Sequence, residues 1–317
     1  MQRILVIRGG AIGDFVLTLP AIGLLRENFP NSHIEILGYK HIISLAEQRF
    51  YANATRSIEY AALASFFAKG AELASELANY FASFDLIVSY LFDPDKIFET
   101  NLRRCGVQTL LLGSSMITED SHAATQLARP LEELGLSLEH PSAASIYPSV
   151  ADRQFAHSFM ESSATPTFAL HPGSGSATKN WPLARWRSLA GHLLASGRPR
   201  SLLVIGGEAD RDGLVTMQEL HDNRIQFAAN LPLPQLAAVL ELCAMFIGHD
   251  SGISHIAAAV ASRCVLLFGP TDPTVWAPAN SNVRICRAPS RRLADITSAD
   301  VQHAALALLQ ARGEATN

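Results

Sequence analysis

The stretch "AMFIGHDSGISHIAAAVASRCVLLFG", residues 244–269, carries in one span the pattern that decides the fold. An apolar run, 244–250, closes on Gly248, His249 and Asp250. An alanine-rich helical pattern follows over 253–262, and a second apolar run occupies 264–269. Continuous apolar runs, unlike alternating ones, mark parallel strands covered on both faces. The segment therefore reads as strand, crossover helix, parallel strand, with polar residues at the strand-to-helix exit.

The same grammar runs outward in both directions. Strand-like runs stand at 3–7, 33–37, 56–60, 86–90 and 109–113, then at 167–171, 201–207, 244–250, 264–269 and 283–287. Helical patterns at 14–28, 63–80, 182–196, 209–221, 234–242, 253–262 and 298–313 separate many of them. Regular strand–helix alternation predicts an α/β protein of doubly wound sheets, which bind ligands beyond the carboxyl ends of their strands. The rhythm breaks over 137–166, where Pro141, Pro148 and Pro166 precede the next strand. That break predicts two domains, residues 1–155 and 156–317, the final helix free to pack back on the first.

Composition narrows the function. Of 317 residues 48% are hydrophobic and 17% charged, which requires large buried cores. A net charge of −4 supplies no basic field for nucleic acid, so none is expected as partner. Cys105, Cys243, Cys264 and Cys286 form no CxxC pair and no metal-spaced cluster, and read as free thiols. No run reaches the roughly 18 to 20 apolar residues that span a bilayer. A cytoplasmic protein is expected, with peripheral contact at the inner face of the membrane left open.

Five strand exits carry polar residues suited to a ligand. In "RGGAIGDFVLTLP", 8–20, Gly9, Gly10 and Gly13 permit a tight turn, and Asp14 falls at the start of a helix. Asp14 reads either as a first-turn acid or as a reactive carboxylate. The spacing is not that of a dinucleotide fingerprint. In "HPGSGSATKNWP", 171–182, small and hydroxylic residues with Lys179 read as a polar turn or as an anion site. Asn180 and Pro182 there predict a capped helix start. At 251–253 the amides of Ser251, Gly252 and Ile253 would head a helix and attract an anion. Asp250 would orient them or meet sugar hydroxyls, His255 reads as a packed structural residue, and Thr271 adds a hydroxyl at the next exit. In "VIGGEADRDG", 204–213, Glu208 reads as a ribose ligand or a solvated loop charge, with Asp210 or a neighbour as helix cap.

"ILVIRGGAIGDFVLTLPAI", "HPGSGSATKNWP" and "GHDSGISHIAAAVASRCVLLFGPTDPTVWAP" together resemble the heptosyltransferases of glycosyltransferase family 9, which build the inner core of lipopolysaccharide. The likeness covers both ends of the chain, with a weak middle from about residue 40 to 165. It implies a GT-B fold, two Rossmann-like domains facing across a cleft, the second holding the donor and the first the acceptor. It implies transfer from ADP-heptose with inversion and no metal or other cofactor. The acceptor would be a lipopolysaccharide-core or related glycolipid or oligosaccharide. By the resemblance Asp14 is the general base, with Gly10 and Gly13 in its loop, and Lys179 neutralises the departing diphosphate. Ser174 and Ser176 become loop donors, Gly252, Ile253 and Ser254 hold phosphate, Asp250 meets the sugar or braces its turn, and Glu208 sits near the ribose. The acceptor half shows no basic cluster, only the scattered Lys40, Arg103 and Arg104. Another nucleotide-sugar donor, an epimerase of the same fold, or a non-catalytic sugar-nucleotide binder are the competing readings.

Overall fold

The computed structural model describes residues 1–310; residues 311–313 of the expected last helix lie outside that range. The chain divides into two compact units, Met1–Ser142 and one beginning at Ala143.

The first unit runs β1 (Arg3–Arg8), α1 (Ile12–Asn28), β2 (His33–Gly38), α2 (Lys40–Ile43), β3 (Ala54–Ser57), α3 (Ser75–Ala82), β4 (Leu86–Ser89), α4 (Ile97–Arg104), β5 (Leu110–Leu112) and α5 (Ala123–Ala128). All its strands pair parallel in the order β3-β2-β1-β4-β5. The helical pattern expected over 63–80 breaks in two, a 3-10 turn at Ala61–Phe67 and then α3. Between them Gly70 takes a φ of +69°, a left-handed conformation that ends a helix. Aromatic rings of Phe66, Phe81 and Phe98 fill the core under this break.

The second unit runs α6 (Val150–Met160), β6 (Thr167–His171), α7 (Leu183–Ala195), β7 (Ser201–Gly206), α8 (Arg211–Gln218), β8 (Ile225–Ala229), α9 (Leu233–Leu242), β9 (Met245–His249), α10 (Gly252–Ala259), β10 (Cys264–Phe268), α11 (Pro273–Trp276), β11 (Val283–Arg287) and α12 (Ser298–Gln310). Its parallel sheet has the order β11-β10-β9-β6-β7-β8. Strands β6 to β8 thus wind one way from the centre and β9 to β11 the other. The direction reverses between β6 and β9, the crevice where doubly wound sheets bind ligands. The opening stretch is β9, α10 and β10 as expected.

Sequence reading missed β8, whose residues are only partly covered at the sheet edge, so no apolar run announces it. It also read the region around 150–160 as linker. Helix α6 forms there because Ser149 and Asp152 make a reciprocal capping box: the Ser149 hydroxyl accepts the Asp152 N–H, and the Asp152 carboxylate accepts the Ser149 N–H at 2.7 Å. Helix α6 packs on α9, and its Arg153 bridges to Glu241 at 2.7 Å. This packing sets the division at 142/143, where 155/156 was expected. The last helix, α12, packs on α7 and β11 of its own unit.

Candidate functional site

In the first unit, β1 delivers Arg8 to the carboxyl edge of the sheet beside the start of α1. Gly10 takes a φ of +93°, and a Cβ there would lie 2.8 Å from an Asp14 oxygen, so the turn needs glycine. Gly13 already belongs to the first turn of α1. Asp14 follows it, and its Oδ2 accepts the Ala11 N–H at 2.9 Å. Its Oδ1 lies 3.8 Å from Arg8 Nη2, and about a third of the side chain is exposed (34%). The cap is thus real and occupies one carboxylate oxygen, leaving the other available.

Arg8 was not among the expected site residues. Its side chain is buried; Nε donates to Thr18 Oγ1 at 3.0 Å, and Thr18 donates to the Asp14 carbonyl at 2.7 Å. The guanidinium also lies 5.8 Å from the ring centre of Tyr90, at the end of the neighbouring strand β4. Burial lowers the Arg8 pKa, and the Asp14 charge works against that shift. The available signal was a charge closing an apolar strand in "RILVIRGG", since a buried strand ends in arginine only where a partner awaits.

In the second unit the crevice between β6 and β9 gathers most of the expected residues. After β6, the loop 172–182 contains a single 3-10 turn, Ala177–Lys179. Lys179 Nζ donates to Asp250 Oδ2 at 2.6 Å, and Thr271 Oγ1 donates to the same oxygen at 2.7 Å. The Lys179 side chain is 31% exposed and that of Asp250 only 9%. Asp250 therefore braces Lys179 and the turn after β10.

Asn180 does not cap α7. Its side-chain oxygen accepts from Ser174 Oγ at 2.6 Å, and Pro182 takes the N-cap position. Ser174 has one hydroxyl proton and two acceptors in reach, Asn180 and the Ser176 carbonyl at 2.9 Å, so this hydroxyl is spent within the loop. The Ser176 hydroxyl pairs with that of Thr178 at 3.0 Å.

At the head of α10, Ser251 is the N-cap, its Oγ accepting the Ser254 N–H. Ser254 is buried and donates its hydroxyl to the His249 carbonyl, so its side chain serves the helix start. Gly252 and Ile253 open the helix, where no preceding turn can accept their N–H groups. The anion-binding capacity lies in these amides. His255 is buried, as expected of a packed residue.

Beyond β7, Glu208 is exposed, in a short 3-10 turn. The carboxylate turned inward is that of Asp210, which stands at the N-cap position of α8 while its side chain makes no capping hydrogen bond to that helix. Its Oδ2 accepts the Gly207 N–H at 2.9 Å and lies 3.3 Å from His171 Nε2. Burial raises its pKa, but the His171 and Gly207 hydrogen bonds outweigh it and leave the group below the usual carboxylate value. An ionised Asp210 accepts only, so His171 donates to it from Nε2. Its Nδ1 lies 3.4 Å from Ser251 Oγ. The Ser251 hydroxyl has two partners within the fold, Ser254 Oγ at 3.2 Å and His171 Nδ1 at 3.4 Å.

His249 is fully buried at the end of β9. Its Nε2 accepts the Trp181 N–H at 2.8 Å, and Nδ1 lies 3.2 Å from the Gly173 carbonyl. Burial pushes its pKa down to about 3. The sequence marks His249 only as a polar residue closing an apolar run; its partners, 68 and 76 residues away, are set by the fold.

Two Asp-x-Asp triplets occur, and neither is a free pair. Asp93 accepts the N–H groups of Ile97, Phe98 and Glu99 at the head of α4, while Asp210 is engaged as above. Among the described residues no group of three or more His, Cys, Asp or Glu is placed to hold a metal ion. None of the described helices is long and apolar enough to cross a membrane.

The profile of Glycosyltransferase family 9 (heptosyltransferase) matches residues 113–304, well over half of the chain. This chain belongs to glycosyltransferase family 9. It is 24% identical over 299 residues to lipopolysaccharide heptosyltransferase 3 of Escherichia coli, covering 86% of this chain and 84% of that one. Among solved structures it matches the glycosyl transferase family 9 protein of Veillonella parvula DSM 2008, with a TM-score of 0.82, 20% identity and coverage of 98% and 97%. It also matches the E. coli ADP-heptose lps heptosyltransferase II, with a TM-score of 0.82, 18% identity and coverage of 99% and 100%. The fold is GT-B, and the family 9 chain is a glycosyltransferase.

Proposed function

We propose that this family 9 enzyme transfers heptose from ADP-heptose to a hydroxyl of a lipopolysaccharide-core saccharide, with inversion and without a metal. The observation that carries the donor reading is the placement of Lys179 at the crevice between β6 and β9, beside the head of α10. An ammonium group and the amides of Gly252 and Ile253 supply the positive potential a diphosphate needs. Asp250 holds one proton of Lys179 and leaves two for phosphate oxygens.

In the reaction the acceptor oxygen attacks the anomeric carbon as the bond to the β-phosphate oxygen breaks. Asp14 takes the hydroxyl proton on the oxygen not committed to the Ala11 cap. ADP leaves with its added charge stabilised by Lys179 and the α10 amides. Arg8 keeps the Asp14 carboxylate oriented from below. Exposed Glu208 is the ribose-side carboxylate in this reading, and Ser174 and Ser176 shape the loop around Lys179.

Turnover of ADP-heptose with a truncated core acceptor, followed by mass spectrometry, tests this directly. Lys179→Ala is expected to lower turnover by about 10²–10³ and to weaken ADP binding. ADP affinity and turnover unchanged in this variant would remove the diphosphate from this crevice.

A further inference from the structure

Two consecutive residues at the end of β9 hold the Lys179 loop in different ways. Asp250 binds the ammonium group itself, at 2.6 Å. His249 binds the backbone on both sides of it, the Gly173 carbonyl before and the Trp181 N–H after. Trp181 stands two residues from Lys179, so the second bond fixes the lysine's backbone almost directly. Both bonds come from a ring with no solvent exposure, walled by Trp186 edge-on at 5.2 Å, which in turn meets Trp181 at 5.2 Å.

We infer that His249, in its neutral Nδ1–H tautomer, is a positioning residue for glycosyl transfer: it sets the backbone of the 173–181 loop so that Lys179 meets the leaving diphosphate. The tautomer follows from the partners. A backbone N–H can only donate, so Nε2 must carry the lone pair; a carbonyl can only accept, so Nδ1 must carry the proton. An imidazolium would have two donors and would lose the Trp181 bond. The charged and titratable groups that act on the ring are His171 at the end of β6, Asp210 after β7 and the adjacent Asp250. Burial outweighs the attraction of the two carboxylates and keeps the ring uncharged.

The inference rests on the assignment of Lys179 to the leaving diphosphate, and a double-mutant cycle separates the two. In His249→Asn the amide N–H still reaches towards Gly173 but no acceptor faces Trp181; in His249→Gln the acceptor is retained. With ADP-heptose as donor, His249→Asn is expected to lower kcat by about tenfold or more. His249→Gln should recover part of that loss, with circular dichroism reporting both as folded. In a Lys179→Ala background, His249→Asn should lower kcat by less than about twofold, because the group it positions is gone. A full further loss in that background would overturn the inference and leave the Lys179 assignment intact. An innocuous Lys179→Ala would instead overturn the assignment and this inference with it. The unaltered protein gives an independent reading through ¹⁵N NMR of its imidazoles. The expected His249 signal is an Nδ1–H tautomer that does not titrate between about pH 5 and 9; an Nε2–H tautomer or a titration in that range would overturn the proposal.

Discussion

Asp14 shows how one side chain serves structure and chemistry at once. One carboxylate oxygen closes the start of α1 on the Ala11 N–H, and the other faces Arg8. The two roles separate experimentally because asparagine keeps an acceptor oxygen but cannot take a proton. Asp14→Asn is expected to lose about 10²–10⁴ in turnover, the range of a general base, while keeping the Ala11 cap and giving up only the charge that faces Arg8. Asp14→Ala should lose the same activity and, in addition, roughly 1 kcal/mol of stability from the missing cap. Thermal melts and initial rates on the two variants check this; equal turnover in wild type and Asp14→Asn would refute the base role. That an acid stands at this strand exit was legible in the sequence. Its buried companion Arg8 was not, because nothing in a local reading says which strand-end charge meets a partner ten residues on.

At the scale of elements, the loop after β6 is set by contacts from two other strand exits, one of them braced from a third. His249 and Asp250 reach it from β9, Thr271 reaches Asp250 from the turn after β10, and Asp210 packs on it from beyond β7. Gly173 is where the last contact is tightest: a Cβ there would fall 1.6 Å from an Asp210 oxygen. Gly173→Ala must therefore push the loop or the carboxylate aside. Displacement of a binding loop by about 1 Å can cost roughly 100-fold in rate, so kcat/KM for the donor is expected to fall by that order. Asp210→Ala in the same chain should restore part of it by making room. Donor kinetics of the single and double variants decide the matter, and a Gly173→Ala enzyme of normal activity would show that the loop's position is not critical. The sequence announced this loop through its composition but not its wiring. Asn180 looked like a cap for α7 and instead closes the loop through Ser174.

At the scale of the whole molecule, buried polar groups tie stability to pH. The His249 pKa is about 3 in the folded chain, against about 6.5 when unfolded. Above pH 6.5 neither state binds this proton and its contribution to stability is complete. As pH falls from 6.5 towards 3 the unfolded chain takes up a proton that the folded chain refuses. Stability from this group then drops by up to roughly 1.4 kcal/mol per pH unit. Denaturant unfolding of wild type and His249→Gln at pH 7, 6 and 5 should show the two converging as pH falls; parallel pH profiles would contradict the burial argument.

What the sequence determined by itself is the architecture of each unit: apolar runs long enough for covered parallel strands, helical patterns between them, and polar residues kept to strand exits. Those signals are local, and burial on both faces of a sheet leaves no other composition for its strands. It also placed Asp14, Lys179 and Asp250 near ligand edges, since strand ends are readable. The tertiary structure alone decided which exits meet. The reversal of direction between β6 and β9 puts His171 beside Ser251 and Lys179 against Asp250, pairs separated by 80 and 71 residues. Hydrogen-bond direction within such clusters depends on every partner at once, so no local pattern reveals it. That is why only the fold shows that the Ser251 and Ser254 hydroxyls serve the protein's own framework, and why buried Arg8 and His249 emerged only from the fold.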